Sequence, residues 1–92
     1  MQSTQSADSK PSKVTVIVTY NGVDRQVIVQ PHAAVTSLLQ HAIHEFHITA
    51  QPHLLSLFRS DGTKVDEKQS VEEAGITDGT VLYLRQDVVK GG

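Results

Sequence analysis

The sequence predicts an α+β fold, a small sheet packed on one helix, and three observations carry that expectation. β-Branched residues alternate along Val14–Tyr20 and again from Val23 to Gln30, with Asn21-Gly22 between the two runs. From Val35 to Phe46 the spacing of apolar residues lengthens from two to three or four. Beyond Pro52 the chain returns to short apolar runs separated by Ser60-Asp61-Gly62-Thr63 and Asp78-Gly79.

The first element pair is a β-hairpin. Val14, Val16, Val18 and Tyr20 share one face and Thr15, Ile17 and Thr19 the other, because strand side chains alternate sides. Asn-Gly tolerates the two positive φ angles of a type I′ turn. The returning strand puts Val27 and Val29 on one face and Ile28 on the opposite one. Pro31 closes it, and a helix comes next. On a wheel of 100° steps, Leu39, Ala42 and Phe46 fall within about 40° of Val35, and Leu38 about 60° away. His41, His44 and His47 lie on the opposite side, toward water. Ala34 is a weak N-cap, so the first turn of the helix is expected to fray.

In the second half, residues 54–59 have the makeup of a third strand, but its register is open, because Leu55/Leu57 and Leu54/Phe58 are both apolar pairs. Residues 64–67 supply a short fourth strand through Val65. Ser70-Val71-Glu72-Glu73 begins a short helix with Ser70 and Glu73 as a capping box, and Gly75 ends it. Residues 80–86 form the last strand. If Val81 and Tyr83 join the valines under the helix, Ile17, Ile28, Leu82 and Leu84 point to the open face, where neighbouring aliphatic residues would make a partner-binding patch.

Composition narrows the function. With 92 residues the chain forms one small domain, too small to enclose a large substrate cavity. It has no tryptophan, two tyrosines and two phenylalanines, so the core is aliphatic. A net charge of −2 offers no basic field for phosphates, which argues against nucleic acid. No apolar run is long enough to span a membrane, and a cytoplasmic protein is expected. The absence of cysteine excludes disulfides, thiolate-held metals and thiol chemistry of its own. No nucleophile sits in a recognisable turn and no carboxylate pair in a predicted cleft, so no catalytic residue, enzyme activity or cofactor is expected. Two imidazoles three residues apart on a helix can share a metal. Here the outer pair, His41 and His47, is spread by about 120°, and the three read as a solvated face with no metal site.

Three regions result: a disordered polar leader at residues 1–12, a folded domain at 13–86, and a flexible tail at 87–92. The tail reads Asp87-Val88-Val89-Lys90-Gly91-Gly92. Without Cβ atoms, Gly91 and Gly92 can thread a channel that admits no side chain. Fully extended, six residues reach roughly 20 Å.

The order ββαββ, short helix, β resembles the β-grasp fold of ubiquitin and its relatives. The resemblance is carried by Phe58, the polar turn, Val65-Asp66-Glu67, Ser70-Val71-Glu72-Glu73-Ala74-Gly75-Ile76 and Thr80-Val81-Leu82-Tyr83-Leu84-Arg85, with Pro31 before the main helix and Gly91-Gly92 at the end. It covers Lys13 to Arg85 and the glycines. It implies a mixed sheet of four to five strands on the helix, with Val71 and Ile76 buried beside the short helix. The turn at residues 60–63 is longer than usual. Asp87-Val88-Val89-Lys90 replaces the usual basic, leucine-rich tail. The chain therefore resembles a divergent member, of the kind found among prokaryotic ubiquitin-like proteins.

The resemblance further implies a protein modifier whose Gly92 carboxylate, with Gly91, is activated by ATP-dependent adenylation and joined to target lysines. Its partners would be an adenylating activating enzyme that reads Val88, Val89 and Lys90, a cysteine-bearing transfer enzyme, target-protein lysines and a deconjugating peptidase. The modifier itself would be a monomer. The alternatives are a sulfur carrier, in which the adenylate becomes a thiocarboxylate, and a noncatalytic interaction module whose glycines are incidental.

Overall fold

The computed structural model describes residues 13–91; the expected leader and Gly92 lie outside the described residues. Strand β1, Val14–Tyr20, pairs antiparallel with β2, Val23–Val29, from Val14↔Val29 to Tyr20↔Val23. Asn21 and Gly22 join them at φ 52° and 79°, the two left-handed residues that a type I′ turn needs.

Helix α1, Val35–Glu45, buries Val35, Leu38, Leu39, Ala42 and Ile43. Its start does not fray as expected. Ala34 offers no side-chain cap, but the Val35 N–H donates to Gln69 O at 2.8 Å, and the Val71 N–H donates to Ala33 O at 2.8 Å. A remote loop thus satisfies a donor that local sequence leaves open. The helix ends in a Schellman arrangement. His47 stands at φ 55° and donates to His44 O, while the Ile48 N–H reaches Ile43 O at 3.1 Å.

After a 3₁₀ turn at Pro52–Leu54 come β3, Leu55–Arg59, and β4, Val81–Gln86. The sheet order is β2-β1-β4-β3, with β1 and β4 parallel and the other pairs antiparallel. The sheet is therefore mixed and four-stranded. The short strand expected at residues 64–67 is reduced to a single bridge between Phe58 and Lys64. Val65 alone has an apolar side chain there, and it is fully buried.

The expected capping box forms: the Glu73 N–H donates to Ser70 Oγ at 3.0 Å, and the Ser70 N–H to Glu73 Oε1 at 2.9 Å. The segment it opens, residues 71–75, is a turn rather than a regular helix, with Gly75 at φ 76°. Val71 and Ile76 flank it, 0% and 2% exposed.

One aliphatic core lies between the sheet and α1, centred on Val16, Val18, Leu38, Leu57 and Leu82, each 0% exposed. Burying each such side chain contributes about 1.5–3 kcal/mol. Tyr20 and Phe46 pack against this core, their ring centroids 5.4 Å apart.

Two register questions are settled by pairing. In β3, Leu55 and Leu57 face the core, and Phe58 turns outward. In β4 the expectation is overturned. Leu82 and Leu84 are 0% and 1% exposed, while Val81 is 39% exposed and Tyr83 half-buried. Val18 opposes Leu82 across the parallel ladder, and paired residues share a face, so Leu82 points inward with buried Val18. Leu82 and Leu84 therefore belong to the core and cannot be part of an open-face patch.

Candidate functional site

The last strand delivers the chain to the predicted reactive end, and the first tail residue is where the structure departs most from expectation. The Asp87 N–H donates to Leu54 O at 2.7 Å, carrying the β3–β4 ladder one residue beyond Gln86. Asp87 itself is buried, 4% exposed. Its Oδ2 accepts from Lys64 Nζ at 2.8 Å and lies 3.1 Å from Ser56 Oγ; Oδ1 accepts from the Val89 N–H at 3.0 Å. Ser56, also buried, lies 3.1 Å from Glu67 Oε2 as well, and its single hydroxyl proton serves one carboxylate at a time.

The Lys64 hydrogen bond holds the Asp87 carboxyl below its ordinary pKa, against burial, which pushes it up; the Val89 and Ser56 bonds add to the lowering. The same contact raises the Lys64 ammonium above its usual value. At neutral pH the pair is ionised.

Asp87 also N-caps the next segment. Val88–Gly91, within the stretch expected to be a flexible tail, forms α2, a single helical turn. While coiled, the segment reaches less far, because a helical residue advances about 1.5 Å and an extended one about 3.3–3.6 Å. Val88 and Val89, expected to meet an activating enzyme, are 82% and 74% exposed. Gly91 is the last residue of the turn.

The open face of the sheet adjoins this segment. Ile28 is 56% exposed and Ile17 half-buried, both on the open face. Ile17 opposes Val81, and Tyr83 opposes Phe58, so the register joins these side chains across three strands. The Arg85 guanidinium sits 4.9 Å above the Phe58 ring, a cation–π contact. Val81, Tyr83 and Phe58 thus replace Leu82 and Leu84 in the patch. A signal for them was present: the series Val81, Tyr83, Arg85 carries a phenol and a guanidinium, groups that seek water. A shallow hollow of roughly 490 Å³ links the patch to the tail, lined by Phe58, Lys64, Arg85, Asp87, Val88 and Val89 among others.

His41, His44 and His47 are exposed. The His44 and His47 rings are 6.4 Å apart, and the left-handed turn at His47 takes it out of helical register with His41. Among the described residues no group of His, Asp and Glu could hold a metal ion, and no helix is long and apolar enough to cross a membrane.

This mixed sheet on one main helix is a ubiquitin-like β-grasp fold. It is similar to a de novo designed protein based on ubiquitin, at 20% identity and a TM-score of 0.72, covering 84% of this chain and 92% of that one. It is similar to the EccD5 ubiquitin-like domain from Mycobacterium xenopi, at 20% identity and a TM-score of 0.59, covering 83% and 96%. A third match is ATBAG1 in complex with HSP70, at 19% identity and a TM-score of 0.71, covering 85% of this chain and 42% of that one. The chain belongs to the family described as a protein of unknown function, DUF2604, whose pattern matches residues 9–92. No curated protein sequence matches it.

Proposed function

We propose that the protein is a ubiquitin-like modifier, activated at the Gly92 carboxylate and conjugated to lysine amines of other proteins. The observation that carries this reading is the pairing of a ubiquitin-like fold with a last strand that runs directly into Asp87 and then Val88-Val89-Lys90-Gly91-Gly92. In this chemistry the carboxylate attacks ATP and pyrophosphate leaves. A partner's cysteine thiolate displaces AMP to give a thioester, and a target lysine displaces the thiol to give an amide. Every catalytic group belongs to partners, in keeping with a chain that has no cysteine. ATP and reduced thiols suit a cytoplasmic protein.

Val88 and Val89 are exposed, and an activating enzyme would read them together with Lys90. The open face built from Ile17, Ile28, Phe58, Val81 and Tyr83 is the surface we assign to other protein partners. A structure of similar fold, ATBAG1, is in complex with HSP70, which supports a protein-binding role for such chains.

Trypsin cuts after Lys90, so conjugates leave Gly-Gly on target lysines. Enrichment of those remnants from the native cell tests the proposal. A thiocarboxylate at Gly92 by intact mass would make it a sulfur carrier instead. Free protein alone, with neither product, would leave a noncatalytic interaction module.

A further inference from the structure

The α2 turn has little of its own to hold it. Four residues are far too few for a stable isolated helix, and its two valines face solvent. What fixes the turn is the residue before it. Asp87 is the one buried acid among the described residues, and every contact of its carboxylate is either to the domain or to the turn. Lys64 Nζ and Ser56 Oγ hold Oδ2, the Val89 N–H holds Oδ1, and Leu54 O holds the Asp87 N–H. Lys64 lies beyond β3, in the segment leading to the capped turn, so the tail is tied to a part of the chain 23 residues away. A carboxylate is costly to bury and keeps its place only while its charge is matched. Without Lys64, Asp87 would be drawn into water and the turn would lose its cap.

We propose that Asp87, Lys64 and Ser56 form an autoinhibitory clasp that keeps residues 88–91 coiled on the domain, so that the terminal carboxylate is presented only when the clasp opens. The inhibitory part rests on the modifier reading; the clasp itself does not. Coiled, residues 88–91 advance about 6 Å; extended, the same residues span about 13–14 Å. An activating enzyme that draws Gly92 into a buried site works against the clasp. Lys64, 42% exposed at its side chain, is the member it can displace from outside.

The test uses the full chain and amide hydrogen exchange read by NMR at Val89 and Asp87. In Lys64→Ala and Asp87→Asn both amides should exchange at least tenfold faster than in the unmodified chain. Lys64→Arg should stay within about twofold, and the Leu57 amide should be unchanged in all three, showing that the domain remains folded. Val89 exchanging as an unstructured amide in the unmodified chain, or unaltered exchange in Lys64→Ala, would overturn the clasp. Gly-Gly remnants counted in the native cell then separate the two ideas. Several-fold more conjugates with Lys64→Ala are expected. Conjugates present but equal would overturn the inhibitory role, whereas none from either chain would overturn the modifier reading alone.

Discussion

Among the described residues, two one-turn coils are opened by a side-chain cap, and they are held in opposite ways. At residues 70–76 the capping box is local, and the turn it starts buries Val71, Ala74 and Ile76 at 0%, 6% and 2% exposure. At residues 87–91 the cap is also local, yet the turn exposes Val88 and Val89 and relies on one carboxylate seated against Lys64 and Ser56. Removing the first turn opens the core. The second has its two valines facing solvent and buries neither of them in the core. A cap therefore sets where a turn begins, and burial beneath it decides whether the turn is structural or detachable.

The largest expected effect falls on the first turn. Ile76→Ala should lower unfolding free energy by about 2–5 kcal/mol in denaturant titration, the cost of a cavity in a packed core. A loss below about 1 kcal/mol would mean the turn is not anchored by burial. Ser70→Ala should cost about 0.5–2 kcal/mol, the usual value of an N-cap, because the Glu73 N–H loses its Ser70 Oγ acceptor while the N–H of residue 70 can still donate to Glu73 Oε1. Changing Val88 and Val89 together to alanine should shift stability by less than about 0.5 kcal/mol, as for exposed side chains generally. A larger loss would show that the tail packs on the domain and would weaken the contrast.

Acid sharpens the same contrast. The Asp87 pKa is lowered on folding from its ordinary 3.8, so its contribution is present in full above that value and is lost as pH falls through the lower, folded one. Below about pH 4 the Val89 amide should lose protection before Ala74 does. Simultaneous loss would mean that the clasp and the core form one cooperative unit.

Legibility in the sequence tracks the range of the interactions. The hairpin was readable because Asn21-Gly22 and the flanking valines act within a few residues of one another. The capping box at Ser70 and Glu73 was readable for the same reason. The face of β4 was not, because Val81/Tyr83 and Leu82/Leu84 are both apolar pairs, and the choice is made by pairing with Val18 on a distant strand. Arg85, in register with Val81 and Tyr83, was the overlooked sign of the solvent side. The strand expected at residues 64–67 contracts to a bridge because only Val65 anchors it. The helix start lacks a cap in sequence and finds its partner at Gln69. The clasp had no sequence signal. Ser56, Lys64 and Asp87 meet only because β3 and β4 pair and the intervening segment returns beside them.

In the proposed modifier, the glycine end beyond a seated Asp87 is the part of the protein that reacts. The most direct measurement is mass spectrometry of trypsin-digested protein from the native cell, enriched for lysines bearing Gly-Gly. Compared with cells carrying a chain that lacks Gly91 and Gly92, the account predicts a set of modified lysines that vanishes with the deletion. The truncated domain should keep its unfolding midpoint. Remnants that persist without Gly91 and Gly92, or none in the presence of both, would contradict it.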